Sequence, residues 1–177
     1  MLSSDAVVHA LYEEPEVLAA VRGRFGADVV TASGTVDRSV LGARAFAEEG
    51  GLAFLEELLF PLIEHRRRDW IARQRALRQA PPLLVCEVPL LFEAGAERSF
   101  DASLVVTAPE AVRRRRVEAR GQDFDGRAAR QLPEPEKVAR ADRSFVNDGD
   151  LGALRAWVAD RFAEYADRPC DATLGNP

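Results

Sequence analysis

The stretch PPLLVCEVPLL, residues 81–91, decides the fold class because its apolar residues follow one another without helical spacing. Leu83, Leu84, Val85 and Cys86 form a short continuous apolar run directly after two prolines. Such a run is typical of a strand that is buried on both faces. The preceding 80 residues instead show helical patterns, so the change of period marks where a sheet begins.

Two stretches downstream repeat this design of a strand followed by a helix. ASLVVTAPEAV (residues 102–112) has an apolar run with Pro109 at a helix start, and RSFVNDG (residues 143–149) ends in turn residues before the helical stretch 150–166. Strands that alternate with helices pair in parallel through right-handed crossovers. The sequence therefore predicts a doubly wound α/β fold with three strands.

The first 80 residues are predicted to be mainly helical. MLSSDAVVHALY (residues 1–12) has the pattern of a capped helix start, and a second helix begins at Pro15 and ends at Gly26. A third helix is expected from about Asp37, and a long fourth one is kinked or divided near Pro61.

The composition is that of one globular domain. The chain has 177 residues, a formal net charge of −5 and two cysteines, Cys86 and Cys170, without metal-ligand spacing. The acidic balance argues against nucleic-acid binding, and no apolar run approaches the length of about 18 residues that a membrane span requires. Unpaired thiols are typical of a reducing compartment, so we expect a cytoplasmic protein that binds neither nucleic acid nor a membrane.

Six stretches, in order along the chain, resemble the dephospho-CoA kinase family. VCEVPLLFEAG (residues 85–95) resembles the family's P-L-L-F-E segment, which follows the third strand of its P-loop kinase fold. The others are SSDAVVHALY (3–12), VDRSVLGARAF (36–46), SLVVTAPEAVRRRRVEARG (103–121), RQLPEPEKVARAD (130–142) and FVNDGDLGALR (145–155). The similarity covers roughly residues 2–165, and the ordered set is specific for this family.

The resemblance implies a kinase that transfers the γ-phosphoryl group of ATP to the ribose 3′-hydroxyl of dephospho-coenzyme A, the last step of coenzyme A synthesis, with Mg²⁺. It implies a three-layer parallel sheet of P-loop kinase type, truncated at the N-terminus. Residues 1–166 are expected to form this incomplete kinase domain, with acceptor-substrate helices at about 14–80 and a lid at about 116–142. Residues 167–177 are expected to be a disordered tail.

The phosphate-binding loop of that family is missing from the sequence. No G-x-x-x-x-G-K-[ST] motif occurs among the 177 residues, although the resemblance places it about 20 to 25 residues before Asp5. We therefore expect that the chain alone does not phosphorylate its substrate at a useful rate. An incomplete sequence and a true loss of the loop are both open. A true loss favours the alternative function, a non-catalytic paralogue or regulatory subunit that binds coenzyme A or a nucleotide.

Asp5 is the candidate general base. It matches the second Asp of the family's D-A-D segment, which is proposed to accept the proton of the attacking hydroxyl, whereas Ser3 replaces the first Asp. The local sequence alone also fits an acid that favours a helix N-terminus. His9 lies four residues on and shares a helix face with Asp5. No third metal ligand has suitable spacing, so we predict that His9 makes a polar contact with substrate or packs as an ordinary histidine, rather than binding a metal.

The other acceptor-side candidates follow from the resemblance. Arg38 matches the D-R segment at the acceptor site; its alternative is a solvated helix charge. The P-L-L-F-E segment is expected to form an apolar wall with one acid for the pantetheine arm, or else a short buried helix. Its residues are Leu90, Leu91, Phe92 and Glu93. Phe60 stands where the family usually has His.

The nucleotide-side candidates are arginines and a turn. Arg116 and Arg120 match the lid arginines that bind ATP in the family, and a rigid guanidinium group suits phosphate oxygens. The three arginines before Arg116 are expected to be surface charges. Arg140 is a further candidate lid cation, and Asn147 and Gly149 match the turn that contacts adenine.

Overall fold

The structure of the protein is a computed structural model that describes residues 1–167. The chain divides into two compact units, one formed by Met1–Val88 and the other beginning at Pro89. Each unit contains a pair of parallel strands together with helices. This architecture confirms the α/β class with parallel pairing. The single domain at residues 1–166 stays a prediction, and the tail predicted at 167–177 lies outside the described residues apart from Asp167.

Helices take up most of the first unit. They are α1 (Ser4–Leu11), α2 (Pro15–Phe25), α3 (Arg38–Ala47) and α4 (Gly51–Arg75). Strand β1 (Leu2–Ser3) pairs in parallel with β2 (Cys86–Glu87), and Ser3 lies opposite Glu87. The carboxyl ends of both strands therefore lie at the same edge of this small sheet.

Local sequence explains where α2 and α3 begin and end. Pro15 takes the first position of α2, and Gly26 ends it with a φ of 97°, a conformation that costs glycine little. The Asp37 side chain caps α3 by accepting hydrogen bonds from the N–H groups of Ser39 and Val40 at 3.0 and 3.1 Å. In the D-R motif, Asp37 thus has a structural role as the helix cap, and Arg38 is the first residue of α3.

Helix α4 continues through Pro61, so the chain is not divided there. A proline removes one backbone hydrogen bond from a helix interior. Leu59 and Ile63, on either side of the proline, both pack on the core of the first unit. Tertiary packing therefore outweighs the local preference for a break.

One apolar core joins the helices of the first unit. The fully or nearly buried side chains are Leu11, Val17, Val21, Phe25, Val29, Leu41, Ala45 and Leu59. Because α1, α2, α3 and α4 all contribute to this cluster, the burial of apolar area sets how α1 and α3 lie against α4.

The second unit contains the other parallel pair. Strand β3 (Leu104–Thr107) pairs with β4 (Arg143–Val146), with Leu104 opposite Arg143. The helices are α5 (Glu110–Glu118), α6 (Phe124–Ala128), α7 (Glu134–Arg140) and α8 (Leu151–Ala166). Nowhere in residues 1–167 is there a helix with both the length and the apolar character needed to cross a membrane.

Two sequence-based expectations about strands need correction. We expected three strands with a helix at the start, whereas Leu2 and Ser3 form a fourth strand, β1. Ser3 has extended backbone before α1, and its side chain makes no capping hydrogen bond. The apolar run at 83–88 is a strand only at Cys86 and Glu87, because β1 offers just two residues for pairing.

Asp142 fixes the start of the β3–β4 pair. Its carboxylate accepts hydrogen bonds from the N–H and the hydroxyl of Ser103 at 2.7 and 2.9 Å, and Ser103 is buried. These hydrogen bonds hold the pKa of the Asp142 carboxyl below its usual range. Asp142 therefore connects the end of α7 with the strand before α5.

We expect Asp142→Ala to lower the free energy of unfolding by about 1–3 kcal/mol, because the buried Ser103 N–H and hydroxyl lose their acceptor. Urea denaturation of the purified protein measures this change. Asp160→Ala, on an exposed face of α8, is the matched control and should stay within about 0.5 kcal/mol of wild type. Equal effects of the two substitutions would contradict the role of Asp142.

Candidate functional site

A cleft of about 150 Å³ lies between α1 and α3 in the first unit. We call it the α1–α3 cleft; its lining residues are Asp5, Val8, His9, Tyr12, Arg38, Leu41, Gly42 and Leu55. Three of the predicted site residues, Asp5, His9 and Arg38, are therefore brought together, although 29 residues separate His9 from Arg38. An engineered cavity of about this volume accommodates a benzene ring, so the cleft encloses one ring-sized part of a ligand and a longer ligand extends along its surface.

Helix α1 places the polar groups of the cleft in a row. Asp5, His9 and Tyr12 are spaced at i, i+4 and i+7, which puts them on one face of the helix. Because α1 begins directly after β1, Asp5 lies in its first turn at the carboxyl edge of the small sheet. Ligands of α/β proteins gather at this edge.

Arg38 brings a positive charge into the cleft. As the first residue of α3, it is positioned by the Asp37 cap, and its guanidinium donates a hydrogen bond to Nε2 of His9. A guanidinium group can only donate, so Nε2 of His9 is the acceptor in this contact. Arg38 makes no ion pair with a carboxylate within residues 1–167. The charge of Arg38 is therefore available to an anionic ligand.

Sequence analysis missed five of the residues that line the cleft, among them Tyr12 and Gly42. Burial raises the pKa of the Tyr12 phenol, and the nearby Arg38 partly opposes this shift. Gly42 lies in α3, and a Cβ atom placed there would meet no atom within 4 Å beyond its chain neighbours and the adjacent backbone of its own helix. The i+7 spacing from Asp5 was the available signal for Tyr12, whereas the sequence carries no signal for Gly42.

Glu93 of the predicted acceptor wall is bound within the second unit. Its Oε1 accepts hydrogen bonds from the Leu132 N–H at 2.9 Å and from Nζ of Lys137 at 2.7 Å. Burial raises the pKa of the Glu93 carboxyl, but the hydrogen bonds from Lys137 and Leu132 outweigh burial and leave the pKa lowered. In this structure Glu93 thus anchors the segment before α7. Its binding to substrate stays a prediction.

The other residues of the predicted acceptor wall are Leu90, Leu91 and Phe92, and Arg140 lies against Phe92. Leu90 and Leu91 are half-buried and Phe92 is buried. Arg140 pairs with Glu97, and its guanidinium lies 5.2 Å from the centre of the Phe92 ring. Arg140 therefore already has partners in this structure, whereas an arginine that is ready to bind ATP would have none.

The arginine run on α5 divides into bound and free members. Arg113 pairs with Glu134, and Arg114 pairs with Asp125 at 2.8 Å while lying 4.4 Å from the centre of the Phe124 ring. These two were expected to be surface charges, but they hold α5 against α6 and α7. Arg116 and Arg120 are exposed and make no hydrogen bond or ion pair in the part of the chain that the structure describes. Both guanidinium groups are therefore free to bind phosphate oxygens.

Asn147 and Gly149 form the turn after β4. The Asn147 N–H donates to the Thr107 carbonyl at 2.7 Å, and its Oδ1 accepts from the Gly149 N–H at 3.1 Å. Gly149 has a φ of 127°, which favours glycine. The carboxamide nitrogen of Asn147 has no hydrogen bond to residues 1–167, so it is free to donate to a ligand.

Known proteins resemble this chain in sequence. A family model for dephospho-CoA kinase matches residues 1–153. The dephospho-CoA kinase of Anaeromyxobacter dehalogenans is 40% identical over 167 residues, which cover 92% of this chain and 78% of that protein. The dephospho-CoA kinase of Nitrobacter winogradskyi is 38% identical over 172 residues, covering 94% and 83%.

Solved structures show a similar fold. TT1252 from Thermus thermophilus matches with a TM-score of 0.70 and 32% identity, and the match covers 92% of this chain and 83% of that one. Dephospho-CoA kinase from Campylobacter jejuni matches with a TM-score of 0.66 at 22% identity, covering 93% and 84%. At 22% identity, the similarity to the Campylobacter jejuni structure is evidence for the fold alone.

Parallel strands that lead into helices define this protein as an α/β protein of the P-loop kinase fold. More narrowly, the chain belongs to the dephospho-CoA kinase family. It is accordingly a phosphotransferase of coenzyme A biosynthesis.

The anchor role of Glu93 leads to a prediction about stability and pH. Glu93→Gln leaves the nearly buried Lys137 without its counter-charge, so we expect the free energy of unfolding at pH 7 to fall by about 1–3 kcal/mol. The lowered pKa of Glu93 means that its stabilisation is present above the unfolded-state pKa of about 4.3 and is lost as the pH falls through the folded-state pKa.

Denaturation of both proteins between pH 7 and pH 2.5 tests this expectation, and the two stabilities should converge at the acid end. Glu57→Gln changes an exposed glutamate on α4 and is the control. A stability difference that is independent of pH would show that the ion pair is not the source.

Proposed function

We propose that the α1–α3 cleft binds the ribose end of dephospho-coenzyme A and that Asp5 is the general base of the reaction. The observation that carries the proposal is the convergence of Asp5, His9 and Arg38 on one cleft from two helices. An acid beside a free cation suits an acceptor that carries a reacting hydroxyl and a nearby diphosphate group. His9 holds the Arg38 guanidinium in place.

The reaction then proceeds by direct transfer between two bound substrates. The Asp5 carboxylate accepts the proton of the 3′-hydroxyl while the hydroxyl oxygen forms a bond to the γ-phosphorus of ATP. The bond between this phosphorus and the oxygen bridging to the β-phosphate breaks, and ADP leaves. Catalysis depends mainly on positioning and on stabilisation of negative charge.

ATP is the proposed phosphoryl donor. Arg116 and Arg120 are the proposed ligands of its phosphate oxygens, because both guanidinium groups are exposed and without partners within residues 1–167. We further propose that Asn147 and Gly149 contact adenine and that Arg140 joins the other two arginines when it leaves Glu97. Leu90, Leu91, Phe92 and Glu93 remain the proposed wall for the pantetheine arm.

Mg²⁺ is the proposed metal of the reaction, and it would enter with ATP. Within residues 1–167 no three His, Cys, Asp or Glu side chains are grouped to hold a metal ion by themselves. Mg²⁺ is commonly held by one or two carboxylates together with substrate phosphates. Glu87 is the last residue of β2, and Asp5 lies two residues after β1, so this edge offers such carboxylates. Held there, the ion would neutralise charge on the phosphates.

The runner-up is a non-catalytic binder of coenzyme A or of a nucleotide. It uses the same cleft but makes no use of Asp5 as a base. We also propose a cytoplasmic location, since Cys86 is a free thiol and the proposed donor is ATP.

Binding of the acceptor tests the proposal, because the 177 residues contain no G-x-x-x-x-G-K-[ST] motif. In calorimetric titrations with dephospho-coenzyme A, Arg38→Ala should weaken binding about 10- to 100-fold through loss of charge-assisted hydrogen bonds. Gly42→Leu should abolish binding, because its side chain enters the cleft without a clash at Cβ.

Two further variants serve as controls for these titrations. Arg73→Ala removes an exposed arginine of α4 outside the cleft and should bind like wild type. Asp5→Asn should keep the affinity within about threefold, and it should lower any ATP-dependent product formation by about 100-fold or more. Unchanged affinity in both Arg38→Ala and Gly42→Leu would refute the assignment of the cleft.

A further inference from the structure

The α1–α3 cleft extends along α1, and the side chains that α1 presents to it change in chemical character from Asp5 to Tyr12. The helical rise puts His9 about 6 Å and Tyr12 about 10 Å from Asp5 along the axis. Asp5 marks the proposed position of the ribose 3′-hydroxyl. The His9–Arg38 contact follows one turn later, and Tyr12 follows at the end of the row.

Charge determines what lies one turn from Asp5. Two groups extend from the ribose of the acceptor, the neutral adenine and the 5′-diphosphate. Arg38 has no carboxylate partner within residues 1–167, and an unpaired guanidinium favours the anionic group. The diphosphate therefore lies toward Arg38, and the chain attached to the diphosphate continues toward Tyr12.

The end of the cleft at Tyr12 is chemically different from the end at Asp5. Val8, Leu41 and Leu55 supply apolar surface to the cleft, and the half-buried ring of Tyr12 adds to it at this end. The Tyr12 hydroxyl has no hydrogen-bond partner within residues 1–167, so it is free to bond to a polar group of a ligand. The first part of a pantetheine arm offers both features, a dimethyl-substituted carbon and a neighbouring hydroxyl and amide.

We propose that Tyr12 is a specificity-determining residue that contacts the first part of the pantetheine arm, beyond the diphosphate. The inference rests on the proposed function of the cleft. Tyr12 then allows the protein to prefer dephospho-coenzyme A over shorter adenosine nucleotides that share the same ribose and phosphates. Its contribution is confined to the arm, since Arg38 and Asp5 meet the other parts of the acceptor.

A series of ligands of increasing length tests this proposal. Adenosine, ADP and dephospho-coenzyme A are titrated into wild type, Tyr12→Phe and Tyr12→Leu, with Gly42→Leu used to subtract binding outside the cleft. We expect Tyr12→Leu to lower the affinity ratio of dephospho-coenzyme A to ADP about tenfold and to leave adenosine and ADP unchanged. Tyr12→Phe keeps the ring and loses the hydroxyl, so a reduction of about threefold is expected.

The outcomes separate this inference from the proposed function. If wild type binds dephospho-coenzyme A and Gly42→Leu does not, the cleft is the acceptor site whatever Tyr12 does. Equal weakening of all three ligands by Tyr12→Leu would overturn the inference by showing a structural role only. Weakening of adenosine alone would overturn it by placing adenine at Tyr12, and an unchanged ratio in both variants would overturn it as well. Because Tyr12 also packs on the core, the nearly isosteric Tyr12→Phe protects the test against a folding defect.

Discussion

The packing of α1 on the apolar core is the constraint on which the rest of the first unit depends. Leu11 is 1% exposed and belongs to a cluster to which α2, α3 and α4 also contribute. A helix is rigid, so burial of one face determines the direction of the other. With Leu11 inside, Asp5, His9 and Tyr12 face α3. The chemistry of the cleft is thus a consequence of where apolar area is buried.

A second constraint concerns the use of positive charge in an acidic protein. The formal net charge is −5, yet the second unit holds a dense arginine run. Arg113 and Arg114 are used internally, on Glu134, Asp125 and the Phe124 ring. Ion pairs of this kind hold short helices together, which cannot be stable alone. Only those arginines that the helices do not need are left for phosphate groups.

Much of the fold could be predicted from the sequence because the signals are local. The proline that opens α2, the glycine that ends it and the aspartate that caps α3 all act within a few residues. The spacing of apolar residues also predicts the strands at 104–107 and 143–146 and the long helix that follows the second of them. Strand β1 could not be predicted, because two residues are too few to show a periodic pattern of apolar side chains. Its existence depends on a partner more than 80 residues away.

The sequence by itself determined the class and the family, since those follow from spacing and from the order of short motifs. Tertiary structure decided which charges are free. Arg38 was predicted as a site residue, and the structure adds that His9 holds it. Glu93 and Arg140 were predicted to meet ligands, yet in the structure both are bound to cations or acids of their own unit. An ion pair depends on distance in space, and residues 39 or more apart in sequence become neighbours only after the chain has folded.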